Sequence, residues 1–258
     1  MSQLSDRTAI GGPRRTFETT RWSQIGLAKT GPADQQRLII ENLIGAYWKP
    51  VYCYLRRKGY GNERAKDLTQ GFFHEIVLGR DLVRQADRSK GRFRTFLLTA
   101  LNRYVSNENR KVTAAKRMPI NREKGLDTDR LSELTTEQLG ASPEEAFNYA
   151  WATAMLDEVL GEVKNGLCET GRATHWRVFQ DRILIPIFRD VHPPASVEIC
   201  AKYGIDGAQK VSNMIATVKR QFRAVLEQKL HQLVGKDSTV EAELYELVEA
   251  LSTGGQRK

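Results

Sequence analysis

Apolar side chains recur at three- and four-residue spacing along almost the whole chain, the repeat of a single helix face. No segment alternates as a strand ladder would, and no internal repeat is visible. The expected fold is therefore all-α. Residues 1–16 read as a flexible leader, and Phe17 to Ile25 carries aromatic anchors ahead of a Gly31-Pro32 break. A helix over 33–48 would turn Leu38, Ile39, Leu43 and Ile44 inward. Pro50 starts or kinks the next segment, which ends at Gly59. A helix over 62–78, a basic loop over 79–91 and a long helix over 92–111 complete a first unit.

Residues 116–141 are polar, hold few large apolar side chains and read as a linker. Ser142-Pro143-Glu144-Glu145 is a helix start: the serine caps, proline suits the first turn, and the glutamate three residues on completes a capping box. Helices are expected over 143–163, 174–185, 195–203 and 208–233. A last amphipathic helix over 240–251 would present Leu244, Leu247, Val248 and Leu251 on one side. The pattern divides the chain into a domain over 17–115, a linker over 116–141, a domain over 142–234 and an acidic C-terminal helix and tail over 235–258.

Three polar faces stand out on this frame. On the 62–78 helix, Glu63, Asp67, Gln70 and His74 fall together opposite Leu68, Phe72, Phe73 and Ile76. On the 92–111 helix, Phe93, Phe96, Leu97, Ala100, Leu101 and Tyr104 point inward. Outward lie Thr95, Thr99, Asn102, Ser106 and Asn109, flanked by Arg103 and Arg110. Asn, Ser and Thr are poorer helix formers than Glu and Lys, so a stripe of them calls for another reason. Short hydrogen-bonding side chains can reach base edges while arginines hold phosphates. The third face belongs to a helix-turn-helix pattern. A short helix carries Val197, Ile199 and Cys200 inward, Gly204 makes the turn, and the next helix buries Val211, Ile215, Val218, Phe222 and Val225. Gln209, Lys210, Ser212, Asn213, Lys219 and Arg220 then face outward as a set suited to a major groove.

Charge sharpens this picture. The 258-residue chain carries a net +9, and residues 80–122 alone hold twelve Lys/Arg against three acids, the whole excess. That run includes Arg92 and Arg94 at the start of the long helix, and it points to a polyanionic partner. Cys53, Cys168 and Cys200 are far apart, with no CxxC and no His at metal-ligand spacing, so reduced thiols in a cytoplasmic protein are expected. The first fifteen residues hold no apolar run that reads as a signal peptide, and no stretch approaches the ~20 apolar residues of a membrane span. No Gly-rich phosphate loop, metal-spaced carboxylate pair, or Ser-His or Cys-His signature is present, so neither an enzyme nor a bound metal or cofactor is expected.

Three segments together carry a resemblance: Tyr47-Trp48-Lys49-Pro50-Val51-Tyr52, Asp67-Leu68-Thr69-Gln70-Gly71-Phe72-Phe73 and Gly91-Arg92-Phe93-Arg94-Thr95-Phe96-Leu97. With Phe17-Glu18-Thr19-Thr20-Arg21-Trp22 ahead of them, they resemble the sigma-70 family, and within it the extracytoplasmic-function type found in planctomycetes and similar bacteria. The resemblance implies a two-domain helical sigma factor, a region 2 bundle and a region 4 helix-turn-helix, that binds core RNA polymerase and promoter DNA. It assigns Glu63, Asp67, Gln70 and His74 to the clamp helices of the polymerase β′ subunit. Arg92, Arg94, Asn102, Arg103, Ser106, Asn109 and Arg110 would capture the melted −10 element, and the helix-turn-helix would read the −35 element. An anti-sigma factor is a candidate further partner that the sequence does not identify. Gly204 to Val211 is one residue longer than the usual family spacing, and His192-Pro193-Pro194 stiffens the connection before it. The other readings are a stand-alone helix-turn-helix regulator that binds duplex DNA without polymerase, an enzyme acting on nucleic acid, and a structural or interaction protein.

Overall fold

The computed structural model describes residues 22–79, 82–116, 142–234 and 239–255, and every regular element among them is helical. The leader, the run before Trp22 and the linker from 117 to 141 lie outside the described residues. In chain order the elements are α1 (Trp22–Thr30), α2 (Ala33–Arg57), α3 (Asn62–Gly71), a π-helical turn (Phe72–Gly79), α4 (Leu82–Gln85), a 3-10 turn (Arg88–Lys90) and α5 (Phe93–Lys116). After the linker come α6 (Pro143–Glu169), α7 (Ala173–Phe179), a second π-helical turn (Gln180–Leu184), α8 (Ile185–Arg189), α9 (Ser196–Tyr203), α10 (Ala208–Leu233) and α11 (Val240–Gly255). They form two compact units: one holds the residues up to Met155 and those from Leu230 onward, the other Leu156–Lys229.

The core of the first unit is aromatic. Tyr47 packs edge-on to Phe93 at 5.8 Å between ring centroids and stacks on Phe147 at 6.1 Å, while Trp22 meets Phe93 at 6.3 Å. Cys53, Ala146 and Ala150 form a small-residue contact where α2 and α6 approach closely. Pro50 does not start a new segment: α2 runs through it. Proline removes one helix hydrogen bond, but Ala46, Tyr47, Pro50, Val51, Cys53 and Tyr54 are all buried around it, and that packing holds the helix continuous. The expected 62–78 helix changes pitch at Phe72. The wider π turn keeps residues four and five apart on one side, which lets Phe72, Phe73, Ile76 and Val77 all bury.

The start of α6 is the capping box that the sequence predicts. The Glu145 amide donates to Ser142 Oγ at 3.1 Å, and the Ser142 amide donates to a Glu145 carboxylate oxygen at 3.2 Å. In the second unit, Val178, Ile199 and Val211 form the core, with Cys200, Tyr203, Met214 and Ile215 packed around it. The tight turn uses two glycines with positive φ, Gly204 at 63° and Gly207 at 93°. Val197, expected inward, is 76% exposed. It lies two residues from Ile199, about 200° around the helix, and so faces away from the core.

The C-terminal helix corrects the sequence pattern. Its buried face is Glu243, Leu247 and Ala250, while Leu244 and Val248, expected inward, are 39% and 54% exposed. The reason is ionic: Glu243 turns inward to meet two arginines of the first unit.

Candidate nucleic-acid interface

Within the first unit, the basic loop before α5 is shaped by local chemistry. Asp87 accepts hydrogen bonds from the Ser89 amide at 2.9 Å and the Ser89 hydroxyl at 2.7 Å, which hold its carboxyl below the usual range. Gly91 follows at φ 109°, a conformation that disfavours any side chain. Lys29 Nζ donates to the Ala86 carbonyl at the base of the loop, and Arg88 donates to the Val234 carbonyl at 2.9 Å. Lys90 stays exposed.

This loop, the π-helical turn and α5 enclose a cleft of about 540 Å³. Ile76, Leu82, Phe96 and Tyr104 give it apolar and aromatic walls; Thr95, Thr99, Arg103 and Asn107 add exposed polar groups, and Lys90 and Arg92 add charge. That volume is in the range that holds a small planar ligand. Burial, then the carboxylates of Glu108 and Glu75, push the Tyr104 phenol above its usual pKa. Gly71 makes room for this ring: a Cβ there would collide with the Tyr104 hydroxyl.

The α5 residues named from sequence divide into three groups. Arg103, Ser106 and Arg110 are exposed along one arc, and with Asn102 and Asn107 they line a shallower recess of about 430 Å³. Asn102 accepts hydrogen bonds from the Tyr54 hydroxyl and from Lys58 Nζ, and Asn109 accepts one from the Tyr60 hydroxyl at 3.0 Å, so α2 and the residues just after it fix both amides. Arg92 and Arg94, which the resemblance assigned to a melted strand, are not exposed. Arg92 is half-buried and ion-paired with Glu243 and Glu246, its charge favoured by the two carboxylates in spite of burial. Arg94 is buried, pairs with the same two glutamates, and lies 4.2 Å from the centroid of the Trp151 ring. At about 100° per residue, Arg94 sits about 100° away from Thr95, toward the packed side of α5, which is why it does not share the outer arc.

Glu63, Asp67, Gln70 and His74 are all exposed on α3 and the turn that continues it, backed by buried Ala65, Leu68 and Thr69. Glu63 pairs with Lys66 at 2.8 Å.

The second unit carries the other face. Gln209, Lys210, Ser212, Asn213, Lys219 and Arg220 of α10 are exposed. Their bonds stay within or beside the helix: Gln209 donates to Asn213 at 3.1 Å, Ser212 donates to the Ala208 carbonyl at 3.1 Å, and Lys210 pairs with Asp206 at 3.1 Å. Lys210 lies about 100° from Gln209, off the arc that Gln209, Asn213 and Arg220 share. Arg223 was missed from sequence; it is exposed on that arc, three residues beyond Arg220, and one more turn of the helical wheel would have reached it. Asn107, one turn beyond Arg103, was missed in the same way. Phe96 and Tyr104 were read only as core, because their helical position gives no sign of a cleft beside them.

Among the described residues no group of His, Cys, Asp and Glu is placed to hold a metal ion, and no helix is long and apolar enough to cross a membrane. The chain matches no established family profile, no curated protein and no solved structure.

Proposed function

We propose that this chain is a cytoplasmic sigma factor of the extracytoplasmic-function type, which binds core RNA polymerase and directs it to promoter DNA without catalysing a reaction itself. The observation that carries the reading is the aromatic-walled cleft beside the basic loop, with the exposed arc of Arg103, Ser106 and Arg110 running away from it. Opening a promoter requires holding an unstacked strand. That takes cations for the phosphates and flat apolar surfaces for the bases, in one place. The α5 face combines both, and its amides at Asn102 and Asn109 are already fixed by tyrosines. The exposed stripe of Glu63, Asp67, Gln70 and His74 supports a protein contact with the β′ clamp helices, because an acidic face has no use against DNA. The α9–α10 pair would place Gln209, Asn213, Arg220 and Arg223 in the major groove of the −35 element. An anti-sigma factor is a further candidate partner with no surface assigned to it.

The helix-turn-helix favours a second reading, a stand-alone DNA-binding regulator, and the acidic stripe separates the two. Asp67→Arg should weaken binding to bacterial core RNA polymerase by at least about tenfold in an anisotropy titration, with helicity unchanged, since it puts a like charge into a matched contact. Unchanged core affinity would overturn the assignment of that face. Absence of core binding by the unaltered chain, with duplex DNA still bound, would establish the second reading instead.

A further inference from the structure

We propose that α11 is a built-in acidic cover that competes with nucleic acid for Arg92 and Arg94. The inference rests on the nucleic-acid reading of the α5 face. Arg92 and Arg94 each contact both Glu243 and Glu246, and the Arg94–Glu243 pair measures 2.8 Å. Glu243 is fully buried and Arg94 is 8% exposed, so the pair they form is shielded from solvent. Two guanidinium groups gripping two carboxylates is the arrangement they would make with backbone phosphates. Arg92 also lines the cleft beside Lys90 and Arg103, so one of the charges that would hold a strand there is already neutralised.

The rest of α11 is consistent with a cover held by charge. Residues 240–255 contain four glutamates and no lysine or arginine. The helix buries Leu247 and Ala250 but leaves Leu244, Tyr245 and Val248 exposed, Tyr245 by 70%. A helix docked only for stability would turn that apolar arc inward, and apolar packing holds as well as buried ion pairs do. Docking through ion pairs instead leaves the contact open to exchange with a polyanion.

The test uses the full chain and a fluorescein-labelled single-stranded oligodeoxynucleotide. Removing the carboxylates by Glu243→Gln with Glu246→Gln should tighten binding by at least about tenfold, the factor by which a cover closed about nine-tenths of the time lowers apparent affinity. Glu246→Gln alone, at a 37% exposed side chain, should give a smaller gain, and it decides the matter if circular dichroism shows that the double variant has lost helix. Glu241→Gln removes a charge from the same helix outside the quartet and should change affinity by less than about twofold. In an Arg92→Ala background the gain from Glu246→Gln should shrink, since Arg94 alone is left to be released. Adding the oligonucleotide to the unaltered chain should speed amide hydrogen exchange in residues 240–251. Equal affinities for the unaltered chain and both glutamine variants, or exchange in α11 unmoved by bound oligonucleotide, would overturn the cover alone. If no variant binds any oligonucleotide, the nucleic-acid reading falls and the cover falls with it.

Discussion

The two candidate DNA faces are built in different ways. Beside α5's exposed arginines, other polar groups are engaged by neighbouring elements: Asn102 and Asn109 are tied to Tyr54 and Tyr60, and Arg92 and Arg94 to glutamates of α11. On α10 the corresponding side chains bond only to their own helix or to the turn before it. The first face is a surface whose geometry is fixed in advance by its neighbours, next to a cleft. The second is an open stripe on a single helix. Holding a strand in an unstacked conformation requires groups fixed in advance, whereas reading a duplex groove tolerates side chains that order on contact. A substitution in the packing behind α5 should therefore damage both fold and binding, while one on α10 should damage binding alone.

Gly71→Ala breaks the comparison most forcefully. The new methyl would strike the Tyr104 hydroxyl, and displacing that ring should cost the first unit about 1–3 kcal/mol of stability, the usual range for overpacking. Adding Tyr104→Phe removes the colliding oxygen. The next ring atom is 3.5 Å away, ordinary contact, so urea unfolding of the double variant should recover most of that stability. Ser212→Ala on α10 should change the unfolding free energy by no more than about 0.5 kcal/mol. Equal sensitivity at the two positions would remove the distinction between the faces.

A smaller effect tests what holds α9 in place in the second unit. Asp181 accepts hydrogen bonds from Lys202 Nζ at 2.5 Å and from the Tyr203 hydroxyl at 2.6 Å, fastening α9 to the π-helical turn before α8. Burial raises the Asp181 carboxyl, but the two donors outweigh it, and its pKa in the folded chain lies below the usual carboxylate value. A carboxylate depressed in this way stabilises the fold above its unfolded pKa of about 4 and loses that contribution as pH falls through the folded value. Asp181→Asn should thus cost about 1 kcal/mol at neutral pH, discounted because Lys202 is 60% exposed, and should remove part of the decline in melting temperature below about pH 4. A melting curve whose acid limb is identical with and without Asp181 would show that the two bonds do not set the unit's stability.

Much of this architecture is legible in the sequence. The bounds of α10 follow from its apolar repeat, and the capping box at Ser142 has the bonding its residue types predict. What was not legible depends on contacts between distant segments. That the helix continues past Pro50 rests on the apolar groups packed around it, and the first π-helical turn leaves the 3.6-residue repeat only because four apolar side chains bury together at Phe72–Val77. The orientation of α11 is the plainest case. Its leucines mark one face, but a buried glutamate meeting Arg92 and Arg94 from about 150 residues away marks another, and no local pattern records that pairing. The same pairing packs Arg92 and Arg94, which the family resemblance had assigned to a melted strand, against α11.

The smallest effects on the fold give the sharpest test of function. Arg103 and Arg110 on α5, and Arg220 and Arg223 on α10, are exposed, so replacing any of them with alanine should change stability by less than about 0.5 kcal/mol. Their effect should appear in the salt dependence of binding. Each phosphate deprived of its arginine lowers the slope of log K against log salt by about 0.7 for a single strand and about 0.9 for a duplex. Arg103→Ala with Arg110→Ala should flatten the slope for a single-stranded oligonucleotide by about 1.4 and leave the duplex slope nearly unchanged. Arg220→Ala with Arg223→Ala should flatten the duplex slope by about 1.8 and spare the single strand. Such a crossed pattern assigns the unstacked strand to α5 and the duplex to α10. If both pairs of substitutions flattened both slopes alike, each face would be acting as undirected positive charge, and the difference in how the faces are built would carry no difference in what they hold.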